Sequence, residues 1–244
     1  MADFTEDRLL NGRVAYRQRG SGHRSGFEPV LLAASITARS GEMVLDAGTG
    51  AGAALLCLAA RRPGIIGVGV EIDRQTAEIA RQNFKDNGLA NIFCVQADIA
   101  ALPFRAGLFD HVMANPPWFS PLSSPSPDPQ RALAHRATPG LLAAWVAAMI
   151  RVLRPRGSIT LILPAASLSL ACAALHTQCG GITLRPLWPR AGLPSKMLLV
   201  SARKAVKSPD VILPGLVLHD EWGITPAAQA ILSDGAGFTN ASSR

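Results

Sequence analysis

The residue types best suited to chemistry stand at the ends of short apolar runs. Asp46-Ala47-Gly48-Thr49-Gly50-Ala51-Gly52 follows the run that begins at Met43. Glycines let a backbone turn sharply and approach a ligand closely, and a helix starting there would offer the positive end of its dipole. Glu71 ends the run from Ile65, roughly 20 residues farther on, where an acid can meet ribose hydroxyls. Asp98, in Val95-Gln96-Ala97-Asp98-Ile99, can accept a hydrogen bond from an adenine amino group. A glycine turn, a ribose acid and an adenine acid on successive strand ends describe one nucleoside site. A glycine turn alone would serve NAD equally. The G-x-G-x-G spacing after an Asp departs from the dinucleotide spacing G-x-G-x-x-G.

The run Phe109–Ala114 leads into Asn115-Pro116-Pro117-Trp118. An amino group on an aromatic ring is a poor nucleophile, because its lone pair is delocalised into the ring. The Asn115 side-chain oxygen and the Pro116 carbonyl can accept its two N–H bonds, pulling the nitrogen toward tetrahedral geometry. Trp118 can stack on a base swung out of its helix. Pro116 and Pro117 stiffen the turn and so preorganise the acceptors. Asp110 and His111 lie nearby in sequence; a structural or cofactor-edge role is expected for Asp110 and packing for His111, and neither is assigned as a general base.

These positions require a repeated βα pattern, and the chain shows one. Met43–Asp46, Ile65–Glu71, Asn91–Val95, Phe109–Ala114 and Ser158–Leu163 read as strands. Helices are predicted from the glycine turn to about Arg61, from Asp73 to Asp86 with Asn87-Gly88 as the stop, over Gly140–Leu153, and to about Cys179 before Gly180-Gly181. Ile182–Leu187 and Lys196–Ala202 lack a long helix between them and read as a hairpin. The expectation is an α/β fold with a seven-stranded, mostly parallel sheet, one antiparallel strand and helices on both faces. Residues 42–204 form this domain. Residues 1–41 form a basic extension ending in an apolar helix around Val30–Ile36. Residues 205–244 form a C-terminal extension, expected to be disordered after about Asp234.

Composition narrows the partners. Twenty-four Lys and Arg against 17 Asp and Glu give a net charge of +7, which suits an anionic partner, nucleic acid foremost. Arg13, Arg17 and Arg24, mixed with Tyr16 and Phe27, suit phosphates and unstacked bases, and Arg131 and Arg136 form a second basic cluster. Cys57, Cys94, Cys172 and Cys179 form no C-x-x-C pair, so neither a zinc site nor a disulfide framework is expected. No signal peptide and no membrane span is read, and a cytoplasmic monomer without an obligate protein partner is expected.

The motifs carry a resemblance. The turn Asp46–Gly52 resembles the first motif of class I S-adenosylmethionine-dependent methyltransferases, and Asn115-Pro116-Pro117-Trp118 resembles the N-P-P-aromatic motif of amino-group methyltransferases. That resemblance implies the Rossmann-like class I fold and S-adenosylmethionine as cofactor. It places Asp46 near the methionine end, Glu71 on the ribose, Ile72 against the adenine ring, and Gly48, Gly50, Gly52, Asp98, Ile99 and Asn115 around the same ligand. The sulfonium carries the methyl, so no metal is required. Over about residues 8–234 the chain resembles the bacterial tRNA1(Val) adenine-37 N6-methyltransferases, through Gly22–Ala33, Asn115–Phe119, Arg131–His135, Trp145 and Leu218–Pro226. The resemblance implies N6-methylation of an adenine in tRNA. The chain departs from that pattern at Phe27-Glu28-Pro29, with Glu28 where an Asp is usual, and at Trp118, where Tyr or Phe is frequent. Alternatives are a protein glutamine N5-methyltransferase, an rRNA guanine-N2 methyltransferase and a non-catalytic RNA-binding module.

Overall fold

A computed structural model describes residues 4–20, 26–117 and 140–238, so Arg24, Trp118, Arg131 and Arg136 lie outside the described residues. The chain opens with an antiparallel hairpin, β1 (Phe4–Leu9) and β2 (Val14–Arg19), paired from Phe4↔Arg19 to Leu9↔Val14. The sequence reading did not anticipate it within the basic extension. The signal was Asn11-Gly12, a hairpin dipeptide whose residues both take positive φ, at 53° and 86°. Frequent arginines on the exposed positions blurred the alternation around it. The hairpin leads to α1 (Glu28–Ser35), with Pro at its first turn. The end of α1 is held by the half-buried Arg61 guanidinium, which donates to the carbonyls of Ala33 and Ile36.

The βα units follow as β3 (Met43–Ala47), α2 (Ala53–Arg61), β4 (Ile66–Glu71), α3 (Arg74–Asp86), β5 (Ile92–Gln96) and β6 (Phe109–Ala114). After residue 139 come α4 (Leu141–Val152), β7 (Leu153–Pro164), α5 (Leu168–His176), β8 (Cys179–Arg190) and β9 (Met197–Lys204). β5, β4, β3, β6 and β7 lie side by side in that order, all parallel, and β9 is antiparallel to both β7 and β8. The expected seven strands and single antiparallel strand are present, with apolar clusters packing helices on both faces. Gly180-Gly181, expected to stop a helix, sits instead in a register shift at the start of β8, with Gly181 at φ +60°.

The C-terminal segment enlarges the sheet. β10 (Val211–Ile212) and β11 (Leu216–His219) pair parallel to β8, giving nine strands, and α6 (Pro226–Leu232) packs on β11 and α1. The chain is held past Asp234, where disorder was expected. Phe238 donates its N–H to Ala34 at 3.1 Å, and its ring lies 4.6 Å beneath the Arg185 guanidinium. Arg13 bridges hairpin and tail, donating to Leu10 at 3.1 Å and Ser233 at 3.4 Å. Among the described residues no helix is long and apolar enough to cross a membrane.

One side chain joins the hairpin to the sheet. Asn83 of α3 accepts the Arg17 N–H at 2.9 Å and donates to the carbonyls of Arg17 and Ala51, both at 2.8 Å. Asn87, one turn later, repeats the pairing with Ala15 at 3.0 and 2.7 Å. Two amides four residues apart thus meet alternate residues of β2, as a neighbouring strand would. Asn83→Ala is expected to lower the unfolding free energy by roughly 2–4 kcal/mol, since buried partners are left unsatisfied. Urea denaturation reads the loss, and hydrogen exchange should show the Arg17 amide deprotected. An unchanged midpoint together with an unchanged Arg17 exchange rate would refute the linkage.

Candidate functional site

The chain winds outward from β3 to β5 and then returns to place β6 on the other side of β3. This reversal opens a crevice at the carboxyl ends of β3 and β6, the usual ligand position in open α/β sheets. Ala47 pairs with Val70 on one side and Ala114 on the other, so Glu71 and Asn115 each emerge one residue beyond a neighbour of Ala47. Strands spaced about 4.8 Å apart therefore bring the ends of β4, β3 and β6 into one short arc.

The glycine turn needs its glycines. Gly48, Gly50 and Gly52 have φ of 75°, 57° and 91°, in the left-handed region that side chains resist. A Cβ on Gly48 would fall 2.8 Å from the Trp145 indole, and one on Gly52 would fall 2.5 Å from Phe84. A Cβ on Gly50 would meet nothing within 4 Å, so open space lies over the middle of the turn. Gly48 and Thr49 both donate to the Val70 carbonyl at 2.9 Å, fastening the turn to β4.

Two carboxylates, Asp46 and Glu71, bond to this turn, and a third, Asp98, follows the end of β5. Asp46 is 2% exposed and accepts the Thr49 hydroxyl at 2.6 Å. Burial pushes its pKa up to about 7; the Thr49 hydrogen bond opposes the rise and the nearby Glu71 charge adds to it. Glu71 accepts the Gly50 N–H at 3.1 Å with one oxygen and the Asp73 N–H at 3.0 Å with the other. Burial raises the Glu71 pKa against these backbone donors. Each of its oxygens retains a lone pair for a hydroxyl. Ile72, beside it, is 60% exposed, an apolar surface suited to one face of an aromatic ring. Asp98 caps a short 3-10 turn through Ala100 N–H at 2.8 Å using one oxygen. Ile99 is 3% exposed and packs in the core, so its side chain is a packing element.

Asn115 and Pro116 end β6, followed by Pro117. The Asn115 Oδ1 is buried and has no hydrogen-bond partner among the described residues. Pro116 and Pro117 have no N–H, so the backbone of these two residues presents only carbonyl acceptors. Asp110 and His111 stand at the opposite end of the sheet. Asp110 accepts the Met43 N–H at 2.7 Å and pairs with Arg154 at 2.5 Å, while His111 bridges Ser158 and Glu42 at 2.7 and 3.0 Å. Both hold the sheet together there, and of the two roles expected for Asp110 its contacts fit the structural one, since they lie away from the cofactor edge. Arg13 and Arg17 lie in the hairpin, where Arg17 pairs with Glu6 at 3.0 Å. Sequence reasoning missed Thr49 and Asn83 as supports of the turn. A polar residue inside an amphipathic helix was the available signal for Asn83.

Comparison with known proteins agrees with this arrangement. A family model described as a methyltransferase domain matches residues 38–196. The tRNA1(Val) (adenine(37)-N6)-methyltransferase of Aeromonas hydrophila is 31% identical over 178 residues, covering 72% of this chain and 74% of that protein. The release factor glutamine methyltransferase of Rhodospirillum rubrum is 41% identical, but over 80 residues only, 32% of this chain and 24% of that protein. Among solved structures, a predicted O-methyltransferase from Agrobacterium tumefaciens matches with a TM-score of 0.75 at 23% identity, covering 88% of this chain and 99% of that one, a likeness of fold. A carboxyl-edge crevice, a glycine turn bordered by acids and a matching family model over most of the sheet agree: the chain is a class I methyltransferase and belongs to the family of the bacterial tRNA1(Val) (adenine(37)-N6)-methyltransferases.

Proposed function

We propose that the protein transfers a methyl group from S-adenosylmethionine to the N6 amino group of an adenine in RNA, with adenine 37 of a tRNA1(Val)-type tRNA as the target. The observation that carries this is the Asn115 side-chain oxygen, buried and without a partner among the described residues at the end of β6. A buried acceptor left open is costly, and a ligand donor would complete it. An adenine amino group brings two donors, one for Asn115 and one for the Pro116 carbonyl. Guanine and glutamine amino groups bring the same donors. Similarity to the tRNA enzyme over about three quarters of both chains, against a short shared segment with the glutamine enzyme, favours RNA adenine.

The crevice residues fit the cofactor. Open space over Gly50, the exposed Ile72 and the spare acceptor positions of Glu71 and Asp98 suit a nucleoside. Bound there, S-adenosylmethionine supplies an electrophilic methyl on a cationic sulfur. The protein contributes alignment: Asn115 and Pro116 orient the nitrogen lone pair, and Pro116 and Pro117 hold those acceptors still. The N–H proton leaves to water after transfer.

Asn115→Ala is expected to slow single-turnover methyl transfer by about 10²–10³ while cofactor affinity stays close to wild type, because the lost acceptor acts mainly as the nitrogen rehybridises. Digestion of the labelled tRNA should give N6-methyladenosine with the wild type. A wild-type rate in the variant would remove Asn115 from the mechanism, and labelled N2-methylguanosine would transfer the reading to guanine.

Asp46 adds a pH dependence. Its folded pKa of about 7 lies above the ordinary 3.8, so between these values the native state holds a proton that the unfolded chain releases. Its contribution to stability is complete below the ordinary carboxylate range and is lost as pH rises through about 7. Relative to Asp46→Asn, the wild type should therefore lose on the order of 4 kcal/mol between pH 4 and pH 8. Urea denaturation of both proteins at the two pH values measures this. A constant difference between them would show that Asp46 does not titrate in that window.

A further inference from the structure

The most exposed large apolar side chain among the described residues stands on a built turn. Trp222 is 87% exposed, more than any other large hydrophobic residue described. Its backbone is fastened on every side. The Trp222 N–H donates to the Asp220 carboxylate at 2.9 Å, and the Asp220 N–H donates to the Gly223 carbonyl at 2.9 Å. His219 and Ile224 form a β-bridge, and Thr225 N–H donates to the Leu218 carbonyl at 3.0 Å. Arg190, on the adjoining β8, donates to the Asp220 carbonyl at 2.9 Å. A fixed turn that holds an indole in water buries little of its surface, so folding alone does not account for it.

The position of the turn is informative. β8 runs parallel to β7, because both are antiparallel to β9, and β11 runs parallel to β8. The turn after β11 therefore lies on the same carboxyl edge of the sheet as Asn115. Counting from β6 through β7, β9 and β8 to β11, four strand spacings separate them sideways, about 20 Å, and the register sets the end of β11 about five residues farther along the strands than Asn115. The exposed Arg190 and Lys196 flank β8 and β9 on that edge. The exposed Phe27 lies there too, its ring 6.3 Å from that of His219. Asp220 and Glu221 place two carboxylates in the turn itself, so the turn does not attract phosphates. What it offers is the face of an indole, with cations to one side.

We propose that Trp222 stacks on an unpaired base of the substrate RNA, a few nucleotides from the methylated adenine, with Arg190 and Lys196 facing the intervening phosphates. This rests on the RNA-methyltransferase reading above. Base–aromatic stacking needs a flat π surface and tolerates any base, as a single-stranded loop requires.

The test is binding of the full chain to a transcribed tRNA1(Val)-type tRNA and to a short single-stranded RNA, with S-adenosylhomocysteine present. Trp222→Ala should weaken binding to the tRNA roughly tenfold to a hundredfold. Trp222→Phe should retain most of the affinity, and Trp222→Leu should behave like Trp222→Ala, because it keeps apolar area without a π face. Melting temperature and S-adenosylhomocysteine affinity should be unchanged in all three. Equal tRNA affinity in wild type and Trp222→Ala, while the wild type still forms N6-methyladenosine, would overturn the stacking alone. Full retention by Trp222→Leu would overturn stacking in favour of a non-aromatic apolar contact. A wild type that binds neither RNA and forms no N6-methyladenosine would overturn both this and the RNA reading.

Discussion

The buried side-chain amide of Asn83 ties together three parts of the molecule that are distant in sequence. It joins the strand β2, the helix α3 and the glycine turn at Ala51. A buried amide has four hydrogen-bonding positions and strongly disfavours leaving them empty. Three of Asn83's bonds go to backbone groups that would otherwise lose water without gaining a partner. The hairpin, which on its own is too small to be stable, takes its place because α3 completes the free edge of β2. The same bond to Ala51 fixes the glycine turn against α3.

Around that crevice the satisfied groups and the open ones separate cleanly. Thr49 occupies an oxygen of Asp46, Gly50 and Asp73 each occupy an oxygen of Glu71, and Ala100 occupies one oxygen of Asp98. These bonds orient the acids without exhausting them, because a carboxylate has about four lone-pair positions. Among the described residues Asn115 has no such partner for its oxygen. The support of the turn is therefore made within the chain, and in the proposed mechanism the Asn115 acceptor is met by the substrate amino group. This is the preorganisation expected where binding energy is to appear in the transition state.

The two ends of the chain form one flank of the sheet. Arg13 reaches Ser233, Phe238 reaches Ala34 and Arg61 closes the end of α1. A cavity of about 470 Å³ lies between the hairpin, the start of α1 and α6, with Tyr16, Phe27, Ile224 and Leu232 among its walls. The basic N-terminal segment thus serves packing as well as charge. Arg13 and Arg17 direct hydrogen bonds into their own chain, whereas Lys196 at the carboxyl edge is exposed.

The central sheet was legible in the residues because its signals are local. Apolar runs of strand length, each ending in Asp46, Glu71 or Asn115, and a glycine turn that only glycines can adopt are short-range facts. The carboxylates at those ends and the Asn-Pro-Pro run are likewise local, and the proposed nucleoside site and amino-group target rest on them. The hairpin, the added strands β10 and β11 and the ordered tail were not legible. Their stability comes from partners far along the chain: 66 residues separate Asn83 from Arg17, and 220 separate Arg13 from Ser233. The raised pKa of Asp46, the unmet oxygen of Asn115 and the exposure of Trp222 belong to the same class. Residue type states what a group can donate, accept or stack upon. Burial and pairing decide what it is left free to do, and those arise only when distant segments pack.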